Sequence, residues 1–100
     1  MTQRATVEVK RYLEPVVPRF LANCQKRIDS MRTALQEHDL IQVRVAGHHL
    51  KGAGGGYGFP VITEFGARIE KAAAEGDDGS IALCLDEFAT YLSSIEVVFV

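Results

Sequence analysis

The stretch AGHHLKGAGGGYG, Ala46–Gly58, decides how the rest of the chain is read. The residues before it repeat apolar positions at steps of three and four, the signature of a helix with one buried face. Five of the seven residues from Gly52 to Gly58 are nevertheless glycine. In a helix each glycine costs about 0.8–1 kcal/mol relative to alanine. Two histidines and a lysine stand immediately before the run. A small helical protein that breaks local rules this openly marks the stretch as functional.

Working outward, four amphipathic segments emerge. From Pro18 to Glu37 the apolar residues Val17, Phe20, Leu21, Cys24, Ile28, Met31 and Leu35 form one stripe. A short extra helix near Arg11–Val16 precedes it, and residues 1–10 read as a poorly ordered segment. His38-Asp39 interrupts the pattern, with Asp39 as the N-cap of the next helix. That helix carries Val43, Ala46, Gly47, Leu50, Gly54 and Tyr57 on its inner face and ends near Gly58, ahead of Pro60. A third long helix begins near Pro60, buries Ile62, Phe65, Ile69, Ala72 and Ala73, and stops at Gly76. Ser80 or Asp78 caps the last helix, whose stripe runs through Ile81, Cys84, Leu85, Phe88, Leu92, Ile95 and Phe99. Short connections make consecutive helices antiparallel. The expected fold is all-α: a single domain over 1–100, an up-down-up-down antiparallel four-helix bundle with a short extra N-terminal helix.

The totals narrow the function. A chain of 100 residues with formal net charge −2 lacks the basic excess of a general nucleic-acid binder. No apolar run approaches the ~20 residues that cross a bilayer, and the first residues lack the apolar core of a secretory signal. A cytoplasmic location is expected. Cys24 and Cys84 form no C-x-x-C pair and lie on apolar stripes, so they read as core residues. The three histidines offer no i, i+4 pair and no H-E-x-x-H, so no metal site is expected. The glycine run fits neither G-x-G-x-x-G nor the P-loop pattern, and no strand precedes it.

On a helical wheel at about 100° per residue, His48 lies roughly 160° from the centre of the apolar stripe and His49 about 100°. His48 is therefore expected in solvent and His49 at a helix boundary. Ile41, Arg44 and Val45 share the His48 face on one side, and Lys51, Gly52 and Gly55 on the other. An unprotonated imidazole nitrogen is a nucleophile at neutral pH. A lysine one turn away holds phosphate oxygens. Absent side chains let another backbone come close.

His48-His49-Leu50-Lys51-Gly52, followed by Gly55 and Gly58, resembles the H-x-L-K-G motif of the histidine-containing phosphotransfer (HPt) domain of bacterial phosphorelays. Gly66-Ala67-Arg68-Ile69-Glu70-Lys71-Ala72-Ala73 and Gly76-Asp77 are similar to that family's next helix and turn. The resemblance implies phosphorylation of His48 at Nε2 by the aspartyl-phosphate of one receiver domain, and transfer to the aspartate of another. It implies that Lys51 neutralises phosphate charge and that Gly52 gives the receiver room. On the same face Ile41 and Val45 give a partner something apolar to bury, and Gly55 and Gly58 are further docking positions; Arg44 reads either as a phosphate-side docking cation or as an ordinary surface residue. Glu70 falls where it can hydrogen-bond near His48 or remain a solvated surface glutamate. No cofactor is implied for this chain, since the receiver brings the magnesium. The implied partners are response-regulator receivers and a hybrid sensor kinase, with this chain a monomer. Gly47 departs from the alanine common in the family and is expected to loosen the helix. The rival reading is a non-catalytic helical adaptor that binds receiver or kinase domains, and a weaker one is a dimerisation module.

Overall fold

The computed structural model describes residues 5–100. Four helices, α1 (Val17–Gln36), α2 (Leu40–Ala53), α3 (Pro60–Ala74) and α4 (Asp78–Ser94), form the bundle. Each packs on its sequence neighbours, and α1 closes the ring against α4. The apolar stripes meet in one core that includes Ile28, Met31, Val43, Leu50, Ile62, Ile69, Leu85 and Phe88. Burying each such side chain contributes about 1.5–3 kcal/mol. Phe65 stacks on Phe88 at a centroid distance of 5.0 Å, and Phe20 on Tyr57 at 4.2 Å. Cys24 and Cys84 are buried in this core. Burial pushes the Cys24 thiol up to about 11, which leaves it a protonated, unreactive packing group.

The two α–α connections on either side of the α2–α3 pair share one design. After α1, the His38 N–H donates to Leu35 O and the Asp39 N–H to Ala34 O; after α3, the Gly76 N–H donates to Ala73 O and the Asp77 N–H to Ala72 O. Both are Schellman closures, and in both the following aspartate caps the next helix. Asp39 accepts from Gln42 N, as expected, and Asp77 accepts from Ser80 N. The cap of α4 is thus Asp77 rather than Ser80 or Asp78. The left-handed position is Gly76 (φ 68°) in the second closure but His38 (φ 57°) in the first. A side chain there costs about 1 kcal/mol, and the exposed His38–Asp78 contact at 3.4 Å offsets little of it. His38→Gly is expected to raise stability by about 1 kcal/mol, read as a higher denaturation midpoint at unchanged slope.

Both chain ends depart from the all-helical expectation. Of the segment 1–10 expected to be poorly ordered, residues 1–4 lie outside the described residues and Ala5–Val9 forms strand β1; a single 3₁₀ turn at Arg11–Leu13 stands in place of the short helix. The expected α4 stripe ends early: α4 stops at Ser94, and Ile95–Phe99 forms β2, parallel to β1 with Ala5 opposite Ile95 and Val9 opposite Phe99. Ser93 and Ser94 hydroxyls donate to Thr90 O and Tyr91 O, taking carbonyls of the last helical turn. Beyond them, IEVVF alternates half-buried and exposed positions, the period of a strand. Val9 is buried and rests on Gly58, whose φ of 92° turns the chain into α3. The pair of strands covers the end of the bundle where α1 begins and α2 ends.

Candidate functional site

The helix α2 ends at Ala53, earlier than the expected boundary near Gly58, and Gly55–Tyr57 continues as a 3₁₀ turn. Thr63 secures this exit: its hydroxyl donates to Lys51 O at 3.0 Å and accepts from Gly55 N–H at 2.9 Å. The last turn that carries His48 and Lys51 is thereby tied to α3.

The glycines divide into two sets. At Gly66 a methyl group would overlap Lys51 N and lie 2.7 Å from Gly47 O; at Gly47 it would lie 2.8 Å from Glu70 N. Gly54 meets Thr63 N in the same way, at 2.5 Å. These three glycines let the α2 and α3 backbones touch, so Gly47 tightens the bundle where it was expected to loosen a helix. Gly58 likewise serves the turn and its contact with Val9, inside the fold. Gly52 and Gly56, by contrast, have open space where a side chain would stand, and Gly55 meets only Thr63 Oγ1 at an ordinary 3.6 Å. Nothing among the described residues requires glycine at Gly52.

The close approach of α3 places Glu70 beside the histidine. Glu70 Oε2 lies 2.7 Å from His48 Nδ1, and Glu70 Oε1 lies 3.2 Å from Lys51 Nζ. His48 is 65% exposed, Lys51 49% and Glu70 23%. The hydrogen bond from Lys51, and next that from His48, hold the Glu70 carboxyl below its ordinary range. An ionised carboxylate only accepts, so the 2.7 Å contact requires a proton on His48 Nδ1. In the neutral ring Nε2 then carries the lone pair, and it has no partner among the described residues. The wheel's placement of His48 opposite the core matches this geometry. His49 faces the seam with α1, beside Phe20, Asn23 and Arg27.

Next to His48 lies a groove of about 370 Å³ lined by Ile41, Arg44, Val45, His48 and Glu70. Ile41 is 77% exposed, a large apolar side chain left in water beside a charged cluster. Arg44 has no ion-pair partner among the described residues. Sequence reasoning brought Glu70 to this neighbourhood without choosing between a solvated residue and a contact, because the choice depends on the spacing of α2 and α3. The facing pair Gly47 and Gly66 was the available signal of that spacing.

The bundle thus places on one open helix face an exposed histidine, held by a carboxylate and flanked by a lysine. The Hpt domain family model matches residues 16–98, and the chain belongs to that family. Neither curated proteins nor solved structures give a significant match to it. Hpt domains carry out histidine phosphotransfer in phosphorelays and interact with receiver and kinase domains there. Among the described residues no helix is long and apolar enough to cross a membrane.

Proposed function

We propose that this chain is a phosphohistidine carrier. His48 takes a phosphoryl group from the aspartyl-phosphate of one receiver domain and passes it to the aspartate of another. The observation that supports it most is the 2.7 Å contact of His48 Nδ1 with Glu70, which leaves Nε2 as the free nitrogen of an exposed ring.

In the forward step the Nε2 lone pair forms a bond to phosphorus. The bond between phosphorus and the aspartyl oxygen breaks, and its electron pair leaves with the carboxylate. The ring keeps its Nδ1 proton and gains positive charge, which the ionised Glu70 stabilises across the hydrogen bond. Phosphoryl transfer needs positioning and charge neutralisation more than covalent machinery. Lys51 spends one N–H on Glu70 and has two more for phosphate oxygens. Ile41, Arg44 and Val45 meet the partner's surface, and Gly52 and Gly55 give its backbone room. The receiver brings the magnesium and this chain needs no cofactor of its own. The reaction belongs in the cytoplasm, with the chain acting as a monomer.

The test is to mix the protein with a phosphorylated receiver domain and magnesium, without ATP. Acid-labile, base-stable phosphate on this chain is the expected result. Binding without transfer, across several receivers, would instead indicate the adaptor.

Glu70 acts here as a positioning residue. Glu70→Ala is expected to slow transfer by about tenfold, as loss of an orienting partner does for ligating histidines. A merely structural role would leave the ring alone. Long-range proton–nitrogen NMR should show the Nδ1–H tautomer of His48 in the wild type and its loss in Glu70→Ala. An unchanged tautomer in the variant would contradict this role.

A further inference from the structure

Charge is distributed unevenly over the bundle. Helix α2 contains no Asp or Glu, and α1 contains only Asp29. Against that single carboxylate these two helices carry Arg19, Lys26, Arg27, Arg32, Arg44 and Lys51, in a chain whose formal net charge is −2. The α3–α4 side holds seven carboxylates against Arg68 and Lys71, and Glu37 and Asp39 in the α1–α2 connection add two more. The cations also differ in how they are held. Arg32 pairs with Asp86 at 2.8 Å, Arg68 with Glu87 at 2.7 Å, and Arg11 donates to Phe99 O. Arg19, Arg27 and Arg44 have no ion-pair or hydrogen-bond partner among the described residues.

The unpaired cations are contiguous with the His48 site. Arg19, Asn23 and Arg27 recur every four residues, on one stripe of α1 with Lys26 beside them. Asn23 and Arg27 form the α1 rim of a cleft whose α2 rim is His49 and whose floor is Phe20, Leu50 and Tyr57. Asn23, Lys26 and Arg27 continue outward as a second, shallower depression. On the far side of His48 stand Arg44 and the apolar pair Ile41 and Val45.

We propose that α1 and α2 form one cationic docking face, from Arg44 across the His49–Arg27 cleft to Lys26 and Arg19, for a partner protein whose contact surface is anionic. The inference rests on the carrier reading for the partner's chemistry: whatever delivers a phosphoryl group to His48 presents a doubly charged phosphate on a carboxylate. Cations left unpaired beside that point complement it, raise the encounter rate and fix the docking register. The exposed Ile41 and Val45 within the face suit a protein surface rather than a phosphate backbone. The face also separates approach from chemistry, because Arg27 lies on a different helix from His48 and Lys51.

The experiment measures binding of a receiver domain carrying beryllofluoride on its acceptor aspartate, for wild type, Arg27→Glu and Lys71→Glu, at low and high salt. Lys71 lies on α3 at the seam with α4, so its reversal changes net charge equally but away from the face. Arg27→Glu should weaken binding about tenfold at low salt and converge on wild type near 0.5 M salt, where charges are screened beyond about 4 Å. Lys71→Glu should stay within about twofold of wild type, as remote surface charges do at ordinary ionic strength. Equal effects of the two reversals, no effect of Arg27→Glu, or no binding by wild type would overturn the face. So would tighter binding of a duplex DNA oligonucleotide than of the receiver. Phosphate transfer is scored separately in the same samples. Binding with this pattern but without phosphate on His48 leaves the face standing and removes the carrier; transfer without the pattern does the reverse.

Discussion

His48→Gln is expected to abolish phosphoryl acceptance, by at least about three orders of magnitude, the scale on which removing a nucleophile acts, while the fold survives. Glutamine keeps an N–H donor for Glu70 but offers no basic nitrogen, so the variant separates the chemistry from the hydrogen bond. The side chain is mostly in solvent, and substitutions there change stability by about 0.5 kcal/mol or less. The comparison variants sharpen the reading. His49→Gln should retain transfer, since His49 faces the α1 seam. Lys51→Ala should slow transfer without stopping it, because it removes charge neutralisation and leaves the nucleophile. Phosphate on His48→Gln would show that the exposed imidazole is not the acceptor, and unfolding of it would contradict the placement of the side chain in solvent. The measurement is radiolabelled phosphate on the chain after mixing with a phosphorylated receiver, with circular dichroism on the same samples.

The second large effect concerns Gly66. Alanine there must displace backbone atoms of α2 at Gly47, Leu50 and Lys51, none of which is the yielding end of a flexible side chain. Overpacking of this kind costs about 3 kcal/mol or more, a melting temperature lower by roughly 12 °C or more for a domain of this size. Because α3 carries Glu70, separating the helices also removes the Nδ1 contact, so the surviving folded fraction should transfer slowly. Gly52→Ala provides the opposite case. Its new methyl group meets open space, and alanine should stabilise the helix by about 0.8–1 kcal/mol. If Gly52 is kept for a partner's backbone, that more stable variant should still transfer more slowly. Thermal melts and transfer rates on the two variants measure both claims. An unchanged melting temperature in Gly66→Ala would contradict the tight α2–α3 contact.

These glycines show where sequence reading stops. A wheel drawn for one helix ranks positions by angle, and it oriented His48 and Leu50 well because the apolar stripe of α2 is regular. It put Gly47 on the inner face and Gly52 on the His48 face, but it cannot show that Gly47 admits the backbone of a neighbouring helix until α3 is in place. The caps were legible for the same local reason: Asp39 and Gly76 act within a few residues of themselves. At α4 the candidates read from the sequence were Ser80 and Asp78, and the closure after α3 places Asp77 at the cap instead. The strands were hidden differently. Val7–Val9 alone is too short a run to read as a strand, and Ile95 and Phe99 also satisfy helical steps from Leu92. Only their pairing across the chain makes both segments extended.

That pairing joins positions at opposite ends of the sequence, and this has a consequence for the order in which structure forms. Helix contacts along α1–α4 link neighbours through short loops, whereas Ala5 meets Ile95 only after nearly the whole chain has been confined. The entropy of closing so long a loop favours the helices assembling first. Among the described residues no third strand joins these two, and a two-stranded pair holds weakly by itself. Their amides should therefore be the first to exchange with heavy water in the native protein, while those around Ile28, Ile62 and Leu85 persist. The strand pair then acts as a clasp that opens without unfolding the helices, leaving His48 on an intact α2 while both chain ends come loose.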